Sequence, residues 1–294
     1  MSGPRRRPGT VFLGGRFVAA AEARISAFDR GFLYGDGLFE TVRIYTGRPF
    51  ALTEHLQRMR FAAARIGLPV PHGTAWWQAM IAELLRRNRL SRSDAAVRVT
   101  VTRGAAGAGL LAPRRSRPTI FALARRLPRE LHVWQRVGVD VALLPFHPGL
   151  DGYLSGLKTT DYLTALVGKA MASERGAFEG IYQTRTGQIL EGTTSNVFIM
   201  RRGVVETPSL RHGILAGITR GHVLEIARQA GMPVAERTIR ARELQEADEG
   251  FLTASTIEIV PIRSVNGRRL RSSGNTVAKL RRLFHSSRLD GRIG

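Results

Sequence analysis

The stretch that most constrains this chain runs over residues 155–198, SGLKTTDYLTALVGKAMASERGAFEGIYQTRTGQILEGTTSNVF. It reads as a loop, a helix over 161–175, and short strands over 180–184, 188–191 and 196–201, with Gly- and Thr-bearing turns between them. The stretch opens on Lys158, in a loop with Gly152 and Gly156 before it, and closes just beyond Glu191, on a strand end. Of 45 Lys and Arg residues only Lys158, Lys169 and Lys279 are lysines; the other 42 are arginines. A solvated positive charge can be either type, but Schiff-base chemistry with an aldehyde needs an amine that can lose its proton. Lys169 and Lys279 lie in helical patterns and read as solvated helix-face residues. Lys158 alone has the setting in which a strand-end loop delivers an amine into a cleft, although a loop lysine taken by itself is more often a surface residue.

With 294 residues and 43% hydrophobic content, the chain suits two domains or one large one with real cores. There is no cysteine, which excludes disulfides and thiolate metal sites, and no metal-ligand spacing accompanies His55, so no metal is expected. The N-terminal arginines precede no apolar core of signal-peptide length, and no run of about 18 apolar residues occurs. A cytoplasmic protein without a membrane span is the expectation. The formal charge of +22 raises a basic nucleic-acid-binding protein as a remote alternative. Its arginines, however, are spread along the chain in short clusters without a basic–aromatic repeat. The excess therefore reads as compositional bias with no specific nucleic-acid partner.

Residues 1–9 read as disordered, 11–19 as a strand pair about Gly14-Gly15, and 37–45 as a strand turning at 46–48 into a second. Thr53 is a candidate N-cap for a helix over 54–66 stopped by Gly67. A second helix over 74–89 carries Trp76, Met80, Ile81, Leu84 and Leu85 on one stripe, and 96–103 and 119–124 are strands around the loop GAAGAGLLAP. That loop lacks the Lys-Ser/Thr ending of a P-loop and reads as a mobile active-site loop. Residues 1–126 make a small N-terminal α+β domain and 127–134 a linker, leaving 135–294 as a larger domain with a polar tail. In the latter, a strand over 137–144, short strands to 204–207, a helix over 218–230, a helical turn at 243–247 and a strand over 250–253 lead to strands over 260–265 and 268–270. Asn266-Gly267, a type I′ turn signal, joins the last two, and a helix over 276–284 follows.

Six spaced segments, DRGFLYGDGLFETVR, EHLQRM, the lysine loop, EGTTSNVF, GILAGITR and FLTASTIEIVPI, fall in order between residues 29 and 262. Together they resemble the fold type IV pyridoxal-phosphate enzymes of the class IV aminotransferase family. These are the branched-chain aminotransferases, D-amino-acid aminotransferases and aminodeoxychorismate lyases. The resemblance implies a two-domain fold whose larger domain is built on a barrel-like sheet, and pyridoxal 5'-phosphate as cofactor. It implies that Lys158 bonds to the cofactor's aldehyde and then serves as acid and base, and that Glu191 lies beside the pyridine nitrogen. The phosphate would be cradled by Arg58, by the helix start at Gly217, Ile218 and Thr219, and by Ser255 and Thr256. Tyr162 would approach the ring hydroxyl. Each has a plain alternative: a surface carboxylate for Glu191, a solvated helix arginine for Arg58, a cap for Thr219, a turn residue for Ser255. His55 reads as structural.

The resemblance also implies an amino acid and a 2-oxo acid as substrates, and a homodimer in which one subunit's small domain closes the other's site. Phe32, Leu33 and Phe39 are the candidate contact residues. Tyr34 and Phe39 fall where the family lines its substrate pocket, favouring an apolar side chain, and Arg98 is the candidate partner of the α-carboxylate. For Arg98 an outward-facing strand arginine remains open, because parity depends on register. Ala108 stands where the lyases usually carry an arginine. The substrate pattern is mixed: transamination is the expectation and pyruvate elimination from aminodeoxychorismate the alternative.

Overall fold

The computed structural model describes residues 9–106, 109–112, 116–146, 153–271 and 275–289. The expected disordered start (Gly9 apart), Ala108, Gly152 and the end of the tail lie outside them. The chain divides into two compact units. Unit 1 is Met1–Leu127 with Lys158–Tyr162, and unit 2 is Pro128–Leu157 with Leu163–Gly294.

In unit 1 the elements are β1 (Thr10–Leu13), β2 (Arg16–Ala19), α1 (Arg30–Tyr34), β3 (Gly37–Tyr45), β4 (Arg48–Pro49), α2 (Leu52–Ile66), α3 (Thr74–Arg87), β5 (Ala95–Thr102) and β6 (Thr119–Arg126). The strands form one antiparallel sheet in the order β2-β1-β6-β5-β3-β4. Register decides what each face carries. Leu38, Glu40, Val42 and Ile44 stand opposite Val101, Val99, Val97 and Ala95, and Glu40 reaches α2 from this face. Phe39 and Thr41 stand opposite Thr100 and Arg98 on the other face. α3 buries Trp77, Met80, Ile81, Leu84 and Leu85. The expected stripe was one residue off at its start: Trp77 is buried, whereas Trp76 is only partly so and stacks on His72. Thr53 is not the N-cap of α2. Ala51 is, with φ 52° and no capping side chain, and burial of Ala51 and Leu52 fixes the helix entry instead. Gly67 ends the helix in the left-handed region, as expected.

Unit 2 contains α4 (Leu131–Val137), β7 (Val139–Leu143), α5 (Leu163–Glu174), β8 (Glu179–Gln183), β9 (Gln188–Gly192), β10 (Asn196–Arg201), β11 (Val204–Pro208), α6 (Ile218–Gln229), β12 (Val234–Arg237), β13 (Ile239–Arg240), α7 (Ala241–Gln245), β14 (Glu249–Ala254), β15 (Glu258–Val265), β16 (Arg268–Arg269) and α8 (Asn275–Leu289). Its strands pair in the order β12-β11-β10-β14-β15-β7-β8-β9-β13, with β16 on β15. The sheet is mixed: β11–β12, β15–β7 and β7–β8 are parallel. Phe198 and Phe251 stack at 4.6 Å in its core, and Leu144, Tyr182, Leu190 and Ile214 form a second cluster. Asn266 and Gly267 both have positive φ, as a two-residue hairpin turn requires. α4 is a helix where a linker and the start of a strand were expected, and α8 runs five residues past the expected end. Several arginines of this basic chain are engaged internally, Arg30 and Arg103 with Asp36, Arg220 with Glu236, and Arg237 with Glu206 and Glu243.

Candidate active site

Unit 1 brings Lys158, Phe39, Tyr162 and Arg98 together. The lysine segment is stitched along β3: Phe39 N–H donates to the Lys158 carbonyl at 3.0 Å, Thr160 N–H to that of Gly37 at 2.9 Å, and Leu38 and Thr159 form a β-bridge. The Phe39 ring then receives two cations. The Arg98 guanidinium lies 3.6 Å and the Lys158 amine 4.4 Å from its centroid, and Tyr162 meets the same ring edge-to-face at 5.2 Å. Arg98 reaches this face because it is paired with Thr41, two positions along from Phe39. It is half-buried, and burial together with the charge of Arg125 holds it below the usual arginine range despite an opposing effect of Tyr162. Phe39, expected beside Phe32 and Leu33 as a subunit contact, is only 3% exposed and belongs to this cluster; Phe32 is 75% exposed.

Arg58 sits on α2 and grips Glu40 with two bonds, Nε to Oε1 and a terminal nitrogen to Oε2, both 2.7 Å. His55 Nδ1 lies 2.6 Å from Oε2, a structural part as expected. Burial by itself would raise the Glu40 carboxyl. The Arg58 charge and the bonds from His55 and Arg58 outweigh it and hold it at about 2. Tyr34, at the end of α1, accepts from Gly109 N–H at 3.0 Å. Arg30 donates to the carbonyls of Gly109 and Leu110 and to Asp36. The described part of the Gly-rich loop is thus anchored by α1. Asp36, which also accepts from Arg103, is held below the usual carboxylate range; burial acts against that shift and the two arginines prevail.

Unit 2 carries Glu191 near the end of β9. Its Oε2 accepts from Leu215 N–H at 3.1 Å and from Asn196 Nδ2 at 3.4 Å, and Asn196 also donates to Leu215 O. Gly217 is the N-cap of α6 and supplies no side-chain cap to the following N–H groups. A Cβ there would lie 2.0 Å from Asn196 Oδ1, so glycine is required for Asn196 to hold its place. Ile218 and Thr219 open α6, Thr219 being buried, and Ser255 and Thr256 occupy the turn between β14 and β15. Lys169 is not simply solvated: its amine donates to the Phe178 carbonyl and lies 3.5 Å from Glu179 Oε1. Asn196, Leu215, Glu40 and Glu179 were not singled out from the sequence. Glu40, Asn196 and Leu215 lay inside recognised segments, and the signal for Glu179 was an acidic residue at the head of an apolar strand. No group of three or more acidic or histidine residues suited to a metal occurs among the described residues, and none of their helices is long and apolar enough to cross a membrane.

Each unit by itself carries groups of a kind that pyridoxal phosphate needs: unit 1 a primary amine against an aromatic ring, and unit 2 a carboxylate that accepts from two donors and a helix start whose N-cap has no side chain to cover it. A family model for amino-transferase class IV matches residues 37–265. A relative from Methanocaldococcus jannaschii, named a putative branched-chain-amino-acid aminotransferase, is 35% identical over 95% of this chain and 96% of its own. One from Bacillus subtilis, named aminodeoxychorismate lyase, is 31% identical over 93% of each. Other relatives carry the name D-alanine aminotransferase. The structure of a branched-chain aminotransferase from Thermoproteus uzoniensis with norvaline superposes with a TM-score of 0.87 at 31% identity, covering 96% of this chain and 95% of that one. The chain belongs to the class IV aminotransferases, pyridoxal-phosphate-dependent enzymes of fold type IV.

Proposed function

We propose that this aminotransferase moves the amino group of an amino acid with an apolar side chain to a 2-oxo acid. The observation that carries this reading is the Phe39 ring. It gathers the Lys158 amine and the Arg98 guanidinium against one apolar side chain, the groups that a substrate's reacting carbon and α-carboxylate require. Bound pyridoxal phosphate supplies an aldehyde and an electron-withdrawing ring. Lys158 carries the amine for that aldehyde and moves the proton at the substrate's Cα. Glu191, oriented by Leu215 and Asn196, holds the proton at the ring nitrogen. Arg58, the N–H groups of Ile218 and Thr219, and the hydroxyls of Ser255 and Thr256 bind the phosphate, and Tyr162 lies by the ring hydroxyl. Tyr34 and Phe39 line the side-chain pocket, and the sequence has Ala108 where the lyases usually carry an arginine.

The name of the Bacillus subtilis relative favours a second reading, elimination of pyruvate from aminodeoxychorismate. A kinetic comparison decides. Leucine, valine, D-alanine and aminodeoxychorismate are tested as substrates of wild type and Arg98→Ala, with pyruvate and 2-oxoglutarate as acceptors. Loss of amino-acid turnover in the variant supports transamination with Arg98 as the carboxylate partner. Fast pyruvate release from aminodeoxychorismate with negligible transamination overturns it.

The same reading keeps 1–126 as a small domain and 135–294 as the cofactor-binding domain, with 127–134 joining them; α4 begins inside the joining segment. It also includes a homodimer with exposed Phe32 and Leu33 at the contact. Sedimentation of wild type and Phe32→Ser tests this: full activity as a monomer would refute it. A cytoplasmic location belongs to the same proposal.

A further inference from the structure

Glu179, the first residue of β8, is 0% exposed and has no part in the roles proposed above. Five donors converge on it. Oε1 accepts from Gly180 N–H at 3.0 Å and from the Thr193 hydroxyl, with the Lys169 amine at 3.5 Å. Oε2 accepts from the hydroxyls of Thr194 at 2.7 Å and Ser195 at 3.2 Å. Three of these donors are consecutive residues, and they make up the turn from β9 into β10. The residue two before that turn is Glu191, and the residue just after it is Asn196, which donates to Glu191. The turn is closed by Gly192 N–H on the Ser195 carbonyl at 2.6 Å and tied to β8 by Thr193 N–H on the Gly180 carbonyl at 2.9 Å. It sits directly on the glutamate: a Cβ at Gly192 would come within 2.3 Å of Ser195 Oγ and 3.1 Å of Glu179 Cγ.

We infer that Glu179 is a positioning residue for the reaction, holding the 193–195 turn so that Glu191 and Asn196 keep the geometry in which Glu191 can hold the ring-nitrogen proton. The kind of partner separates this from simple charge balance. Of these five donors only Lys169 is a cation, it is the most distant, and its side chain is 41% exposed. The remaining bonds come from three hydroxyls and a backbone N–H, whose directions fix a turn. An ionised carboxylate accepts from all of them, whereas an amide offers one accepting oxygen and forces hydroxyls on its other side to reverse.

The inference rests on the proposed role of Glu191, so both are tested in one experiment. Holoenzymes of wild type, Glu191→Gln, Glu179→Gln and Thr194→Val are reconstituted with pyridoxal phosphate labelled with 15N in the ring. The ring-nitrogen resonance, kcat, KM and the melting temperature of each apoprotein are then measured. Glu179→Gln is expected to lower kcat about 10-fold or more with KM little changed. Its resonance is expected to move toward that of Glu191→Gln, and Thr194→Val to move it the same way by less. If Glu179→Gln does not fold, Thr194→Val decides alone. Wild-type resonance and kcat in the folded variants, even with a lowered melting temperature, overturn the inference and leave Glu179 a structural residue. If Glu191→Gln itself keeps the wild-type resonance and kcat, the role of Glu191 falls and the inference falls with it.

Discussion

Unit 1 and unit 2 each bury a glutamate in a strand, Glu40 in β3 and Glu179 in β8, and each stands behind a charged residue proposed to meet the cofactor. They are built differently. Glu40 is met by a bidentate arginine and a histidine, and Arg58 is itself largely buried, its side chain 13% exposed. Glu179 is met mostly by hydroxyls and a backbone N–H. Charge compensation makes the first strong and sensitive to protonation. Directional neutral bonds make the second a matter of local shape. A permanent cation that has to hold a phosphate needs a counter-charge behind it, whereas a carboxylate that has to meet a ring nitrogen needs its angle set.

The largest expected effect removes the one group that neither glutamate supports. Lys158→Ala is predicted to cut turnover by on the order of 10⁴-fold and to abolish the borohydride-trappable visible band while the fold persists. A variant that still traps cofactor covalently would refute the assignment. The comparison is broken next at Glu40. Glu40→Gln leaves Arg58 without its counter-charge and is predicted to cost about 3–5 kcal/mol of apoprotein stability, read by urea unfolding. The same pair gives a pH signature. A carboxyl held at about 2 instead of its ordinary 4.5 contributes stability that is complete above pH 4.5 and is lost as the pH falls toward 2. A wild-type unfolding curve flat across that window relative to Glu40→Gln would remove this account. On the other side, Glu191→Gln is predicted to keep cofactor bound but lower kcat by about 10²–10³-fold; an unchanged rate at saturating substrate would take Glu191 out of the mechanism. The smallest effect is Arg58→Ala, predicted to weaken pyridoxal-phosphate binding by about 1.5–3 kcal/mol with kcat at saturating cofactor little altered. Equal dissociation constants for variant and wild type would refute phosphate binding by Arg58.

These contrasts follow what a sequence can carry. Lys158 drew attention on the sequence because its residue type is scarce and its chemistry cannot be borrowed by arginine, but that Phe39 and Arg98 are its neighbours was not legible with it. Gly67 and Asn266-Gly267 were legible because backbone conformation selects those residues. Strand β3 was delimited correctly, but not the division of its faces: that Glu40 meets α2 while Phe39 meets Lys158 follows from register with β5 and from a segment about 120 positions on. Arg98, whose direction was open on the sequence, is turned toward Phe39 by that register. Helix α1 was missed because five residues carry too little periodicity, although Asp29 caps its start and Gly35 its end. Glu179 was missed because its three hydroxyl partners lie 14–16 residues away, and nothing local marks a glutamate as an acceptor for a turn.

The stitching of Lys158–Tyr162 onto β3 makes unit 1 discontinuous along the chain. During synthesis the first 127 residues can collapse around their own sheet before the lysine has left the ribosome. The segment that brings the amine to Phe39 arrives only after thirty residues assigned to the other unit. A fragment ending at Leu127 therefore has the aromatic ring and the arginine but not the lysine amine, and a synthetic peptide spanning 155–163 becomes a direct way to ask whether β3 alone recruits it.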